Sequence, residues 1–249
     1  MLQKKLKRGE NFAFSRYSDG ELDIMQNKKV VLDDKSTRRD GNVVGTAYDK
    51  SDHKEFDPEK HGWLREHLIK AYKHHQDGYY VGLSCPCCVG KEQNDWMKEL
   101  RGGDDKHLTW ANLFLNSNYP LFLNHVLPLL KNREVFVVCN EAADIESLPF
   151  PVVLSATVGS NAMINDIDII ARLSAYIELE KYENVVFLFA AASLSNLAIY
   201  ELFKRFPQNT YIDIGTTLNP HMKLPVARNY LKGYWLNSGN TEIHKECVW

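Results

Sequence analysis

Asp19 and Glu21 stand on either side of Gly20, and Arg16 precedes them in the run Phe12-Ala13-Phe14-Ser15-Arg16-Tyr17-Ser18-Asp19-Gly20-Glu21. The apolar, aromatic start reads as a short buried strand, and Leu22-Asp23-Ile24-Met25 behind the carboxylates reads as the start of a helix. At a strand-to-helix turn this spacing lets both carboxylates reach one hard cation, while Arg16 and the first free N–H groups of the helix face an anion. A divalent metal bound to a phosphorylated ligand suits those groups. The plainer reading of the same residues is acidic capping of a helix N-terminus.

Such a turn needs a scaffold behind it, and the second half of the chain supplies one. Glu134 to Cys139, Val152 to Ser155, Val185 to Ala190 and Thr210 to Ile214 read as strands, as does Tyr79 to Leu83 earlier. Between them lie helical periods. One runs from Trp63 to His75, with Trp63, Leu64, Leu68 and Ala71/Tyr72 on one side; a second runs from about Ala162 through Met163, Ile167, Ile170, Ser174 and Ile177. A third starts after Ser193-Leu194-Ser195-Asn196, and Asp95 to Leu100 is a short one closed by Gly102-Gly103. Asn118 and Pro120 suit the start of a helix over Tyr119 to Leu130.

Strands alternating with helices predict an α/β fold with a mostly parallel, Rossmann-like sheet. In such a sheet Asn140-Glu141, Ser160-Asn161, Ser193 to Asn196 and Asp213 to Thr217 gather at the carboxyl edge, where ligands bind. Lys28 to Pro58, including Arg38 to Asn42, is polar and poor in periodicity and reads as a long loop, either a lid or a solvated excursion. The tail from Lys223, with Tyr234-Trp235 and Trp249, is aromatic enough to cover an acceptor site or a partner surface, or simply to pack down. The reading is one domain over 1–249 with 223–249 as a tail.

Composition narrows the partners. A formal net charge of −2 argues against nucleic acid, and the 44% hydrophobic and 25% charged residues are those of an ordinary globular chain. No apolar run approaches the roughly 20 residues of a membrane span. Lys4, Lys5, Lys7 and Arg8 leave peripheral contact with a membrane or anionic partner open beside a plain solvated helix, and the expected location is cytoplasmic. Cys85, Cys87, Cys88, Cys139 and Cys247 are an odd set that makes no disulfide framework, and without a second Cys/His pair the thiols read as structural rather than metal-ligating. There is no G-x-G-x-x-G after a strand, no Walker loop and no G-x-S-x-G around Ser193 or Ser195.

The segment Phe14 to Glu21 resembles the Arg-(aromatic)-(small)-Asp-Gly-Glu signature of GT-D fold glycosyltransferases, and Val185 to Met222 resembles the C-terminal strand, small-residue turn, helix and Ile-Asp-x-Gly segment of the same family. The helix Tyr119 to Leu130 with its preceding Asn116 and Asn118, and Glu141 after its strand, also fall where the family has counterparts, so the resemblance spans most of the chain from about Asn11 to His221. Ser18 stands where the family commonly has Gly, and Ala191-Ala192 where it often has a Gly-Pro-type turn. The resemblance implies a metal-dependent glycosyltransferase that takes a nucleoside-diphosphate sugar, with UDP favoured, and moves the sugar to a glycan or other hydroxyl acceptor. It implies Asp19 and Glu21 as ligands of Mn2+ or Mg2+, directly or through water. Arg16, Ser18, Asn116, Asn118, Asn161, Ser193 and Asn196 fall at donor-binding positions, and Glu141, Asp213 and His221 are the candidate catalytic bases. The alternatives are another Rossmann-like enzyme, such as a methyltransferase, and a non-catalytic binding protein of the same fold.

Overall fold

The computed structural model describes residues 1–33, 36–46 and 53–236; Cys247 and Trp249 lie outside them. Seven strands form the main sheet in the order β7-β6-β1-β11-β10-β8-β9, where β1 is Ala13–Tyr17, β6 Tyr79–Leu83, β7 Leu108–Trp110, β8 Val135–Asn140, β9 Val152–Val158, β10 Val186–Phe189 and β11 Thr210–Asp213. Every neighbouring pair is parallel, which bears out the α/β expectation.

The inner strands are buried on both faces because helices and coil cover both. Successive side chains go to opposite sides, and the core divides accordingly. Ala13, Tyr17, Val81, Phe136, Phe187 and Tyr211 join the helices Gly62–Lys73, Ile169–Glu180 and Ser193–Arg205 on one face. Phe14, Tyr80, Val137, Leu188 and Ile212 meet Leu2 and Leu6 of the first helix, the Tyr119–Asn132 segment, and Tyr230 and Leu231 of the last helix on the other. The tail therefore packs down over Asn229–Leu236, with the Tyr230 hydroxyl 2.8 Å from Thr216 Oγ1. The first helix, Leu2–Arg8, turns Leu2 and Leu6 inward and leaves Lys4, Lys7 and Arg8 to solvent.

Several local expectations change. Lys28 to Pro58 is not a long loop: its described part builds a second, antiparallel sheet of β2 (Val30–Leu32), β3 (Ser36–Arg39), β4 (Asn42–Thr46) and β5 (Lys54–Phe56) in the order β4-β3-β2-β5. Asp40 and Gly41 both have positive φ, 48° and 82°, as a type I′ hairpin requires, so Arg38 and Arg39 belong to a strand. The helix expected from Ala162 breaks into Ala162–Asn165 and Ile169–Glu180, and at the break the Asp166 carboxylate accepts the Gly159 N–H at 3.0 Å. Pro120 and Pro128 remove backbone donors, and the Tyr119–Asn132 segment passes from one α-turn through a π stretch at Phe122–Val126 to a 3-10 stretch. Trp63 is exposed, whereas Leu64, Leu68, Ala71 and Tyr72 are buried as expected.

Candidate functional site

Parallel pairing aligns Tyr17 with Leu83 and Phe189 with Asp213, so the residues that follow these strands meet at one edge. Beyond β1 the chain turns at Ser18 into the helix Asp19–Met25. Ser18 N–H donates to Glu21 Oε2 at 3.1 Å, so Glu21 caps its own helix as a capping-box residue does. Its other oxygen, Oε1, accepts Ser193 Oγ at 2.5 Å and Lys54 Nζ at 3.0 Å. Burial pushes the Glu21 carboxyl up, but the Lys54 charge, the Ser193 hydroxyl and the Ser18 N–H outweigh it and bring the pKa down to about 2.

Asp19 has a different setting. Its side chain is 68% exposed, and Arg39 Nη2 lies 3.4 Å from Oδ2. The same guanidinium pairs through Nε with the buried Asp23, which Lys28 approaches at 3.4 Å. Burial raises the Asp23 pKa in spite of both cations. Two strands of the small sheet thus lay a cation each on the first turn of this helix, Arg39 from β3 and Lys54 from β5.

Arg16 and Asp213 lie on the adjacent strands β1 and β11. Arg16 Nε is 3.3 Å from Asp213 Oδ1, an ion pair that leaves Nε outside hydrogen-bond alignment. Asp213 also accepts the Gly215 N–H at 2.9 Å. Burial raises the Asp213 pKa, Arg16 lowers it, and the charge on Glu21 raises it further, with a net rise. Gly215 has φ +50°, and a Cβ there would fall 2.3 Å from Arg16 Nη2, so only glycine lets the guanidinium lie against this turn.

The helix Ser193–Arg205 starts beside these groups. Asn196 Nδ2 donates to Arg16 O at 2.6 Å and to Ser15 Oγ at 3.1 Å, and Ala191 N–H donates to Ser195 Oγ at 3.1 Å. Small side chains allow that approach, and Ala192 carries it in a conformation that favours glycine, φ 48° and ψ −138°.

The structure therefore brings together Arg16, Ser18, Glu21, Ser193, Asn196 and Asp213, with Asp19 at their open side. The remaining candidates have other partners. Asn161, with φ 53°, binds the small sheet: its Oδ1 accepts Glu55 N–H and its N–H donates to His53 O. Asn118 is buried and donates to Asn112 O at 3.1 Å; its side chain caps no helix, and Asn116 before it has φ 51°. Glu141 is exposed just past β8, with its N–H bonded to Val158 O. His221 meets Trp235 edge-on with ring centres 5.4 Å apart, and burial lowers its pKa. Sequence reasoning missed Lys54 and Arg39. The Asp40-Gly41 pair was the signal that their segment forms hairpins, but nothing in sequence sets which strand residue reaches the carboxylates.

A surface groove of about 620 Å3 lined by His67, Ile170, Glu201 and Arg205 lies at the opposite end of the Ser193–Arg205 helix, away from the strand ends. Among the described residues, no helix is long and apolar enough to cross a membrane.

No family model and no curated protein matches the chain. Among solved structures it is similar to a selenomethionine-substituted structure of domain of unknown function 1792, with TM-score 0.57 and 13% identity, covering 96% of this chain and 80% of that one. It is also similar, with TM-score 0.56 and 12% identity over the same shares, to a structure of that domain described as having a distinct glycosyltransferase fold. These likenesses establish a glycosyltransferase-like fold.

Proposed function

We propose that this chain transfers a sugar from a nucleoside-diphosphate sugar, a UDP-sugar foremost, to a glycan or other hydroxyl acceptor. The observation that carries the reading is the charge cluster of Arg16, Glu21, Lys54 and Asp213 at the carboxyl edge of β1 and β11, in a chain that folds like a glycosyltransferase. The same edge in a methyltransferase would need a glycine-rich loop after a strand, which this chain lacks.

Transfer forms a bond from the acceptor oxygen to the anomeric carbon as the bond from that carbon to the diphosphate breaks. The acceptor's proton goes to a base, and the bonding pair leaves with the nucleotide. Negative charge therefore builds on the diphosphate, and a fixed cation there stabilises the transition state. Asp19 and Glu21 as arranged do not fit a divalent ion shared between them: Glu21 has both oxygens engaged, by Lys54 and Ser193 on one and by Ser18 N–H on the other. Lys54 is the cation that this arrangement offers to the diphosphate. Mn2+ or Mg2+ on the pair requires Lys54 to leave Glu21, with the exposed Asp19 as the first ligand.

Asn196 ties the first turn of its helix to β1, and Ser193 ties it to Glu21, which sets that helix N-terminus beside the strand end where an anionic donor would bind. Asp213 is a positioning residue for Arg16. Glu141 is the exposed carboxylate among the candidate bases, three strand positions from β1, roughly 14 Å of sheet, which side chains and an intervening sugar span. The test is UDP binding and sugar-nucleotide turnover across a donor panel, each with Mn2+ and with a chelator. Donor binding in either condition supports the reading; S-adenosylmethionine binding without any nucleotide binding sinks it.

A further inference from the structure

Cys85, Cys87 and Cys88 converge just past the end of β6. Cys85 Sγ is buried, 2.7 Å from Cys87 Sγ and 3.3 Å from Cys88 Sγ, and all three sulfurs lie within 4.8 Å of one another. Those approaches are tighter than the roughly 3.5–4.0 Å at which even carbon atoms rest. A disulfide would join two sulfurs at about 2.05 Å and turn the third away. Here one sulfur faces both others, which is the arrangement a thiolate-bound ion needs. With metal–sulfur bonds of about 2.3 Å, tetrahedral thiolates stand roughly 3.8 Å apart, so Cys87 and Cys88 need only move outward by about an ångström or less from Cys85, inside the 4.8 Å that bounds the group.

The surroundings hold the group in place. Ser84 Oγ donates to Tyr17 O at 3.1 Å, and Asn94 Nδ2 donates to Ser84 O at 2.8 Å, which fastens the loop to the end of β1. Asn112 Nδ2 lies 3.9 Å from Cys85 Sγ and donates to it, the kind of outer hydrogen bond that favours a thiolate and orients a ligand. Cys87 and Cys88 are exposed, so an ion has an entry path.

We propose that Cys85, Cys87 and Cys88 bind a soft, thiophilic cation such as Zn2+ in a three-thiolate site, next to the Ser18 turn and independent of the sugar donor. Each thiol gives its proton to solvent as it ligates, so uptake falls with falling pH. The sequence reading of these thiols as structural rested on the lack of a second Cys/His pair; the proposal rests instead on three sulfurs within four residues that close on one point through the turn at Pro86.

The experiment is titration of the reduced 249-residue chain with Zn2+ against a chromophoric chelator, with Co2+ as a spectroscopic stand-in whose thiolate charge-transfer band reports sulfur ligation. The expected result is one equivalent bound, with affinity falling by more than the ~10–100-fold typical of losing an outer partner in a Cys87→Ser/Cys88→Ser double variant. Both substitutions are at exposed positions, and circular dichroism checks the fold. A Cys139→Ser/Cys247→Ser variant should bind as the parent does. Absence of the charge-transfer band, or binding unchanged in Cys87→Ser/Cys88→Ser, overturns the proposal, as does a reduced chain that takes up no Zn2+ while the oxidised one carries a Cys85–Cys88 disulfide.

Discussion

Lys54 Nζ lies 3.0 Å from Glu21 Oε1, and each side chain is only 10% exposed. The ammonium stands over Gly20, where an added Cβ would come within 2.9 Å of it. The glycine between the two carboxylates thus leaves room for a cation that the chain itself supplies. If Lys54 is the cation that faces the diphosphate, UDP affinity of the parent protein changes by less than ~3-fold between chelator and Mn2+, because no exchange at Glu21 is needed. Lys54→Ala should lower UDP affinity without metal by ~10-fold or more and make binding respond to Mn2+, as Glu21 and Asp19 become open to an ion. Calorimetry of UDP binding by both proteins decides it. A parent protein that binds UDP only with Mn2+ shows instead that the ion displaces Lys54.

Glu21 also ties stability to pH. Its folded pKa of about 2 lies below the ordinary 4.5. A depressed carboxylate contributes stability that is fully present above the unfolded pKa and is lost as pH falls through the folded one. The window is therefore from about pH 4.5 down to about pH 2. Glu21→Gln leaves Lys54 buried beside a neutral amide and should destabilise the protein by ~3–5 kcal/mol at pH 7. Chemical denaturation at pH 7 and again near pH 3 should show the difference between parent and variant shrinking at the lower pH. An unchanged difference would mean that the carboxylate is not held by Lys54 and Ser193.

Two backbone positions give opposite signs for the same pair of residue types. Ala192 holds φ 48°, ψ −138°, a conformation that penalises any Cβ, so Ala192→Gly should stabilise the protein by ~1 kcal/mol. Gly215 holds φ +50° with Arg16 Nη2 only 2.3 Å from where a Cβ would stand. Gly215→Ala should destabilise by ~2 kcal/mol or more, because both the backbone and the buried guanidinium must move. Thermal melts of the two variants report the signs directly, and a destabilised Ala192→Gly would remove the strain from the account of this turn.

The main sheet was legible in the sequence because its inner strands are short apolar runs bounded by turn residues, and parallel pairing then dictated which strand ends meet. That is why Arg16, Glu21, Ser193, Asn196 and Asp213 converge as expected. The small sheet was not legible. Its strands are only three to five residues long, too short to show a hydrophobic period even where they hold Val30-Val31-Leu32 or Val43-Val44, and only Asp40-Gly41 signals them. The cations that pair with Asp19 and Glu21 come from that sheet, 20 and 33 residues away in sequence, and such pairings follow from register rather than from composition. Asn118 misled for a related reason: its side chain satisfies a buried carbonyl of Asn112 instead of the helix end it precedes.

Glu141 and Asp213 should separate chemistry from binding. Glu141 is exposed past β8 and bonds to its neighbours only through its backbone N–H in the described contacts, so Glu141→Gln has little to disturb in the fold. As the group that takes the acceptor's proton, its loss should lower kcat by ~10²–10⁴-fold with UDP affinity and KM for the donor nearly unchanged. Asp213→Asn removes the charge that holds Arg16 and should weaken UDP binding, with the larger effect in KM. The two variants are compared by steady-state kinetics on the donor identified by the panel, with UDP affinity measured separately. If Glu141→Gln turns over at the parent rate, the base lies elsewhere, and His221, whose pKa burial lowers and whose ring meets Trp235, becomes the residue to replace next.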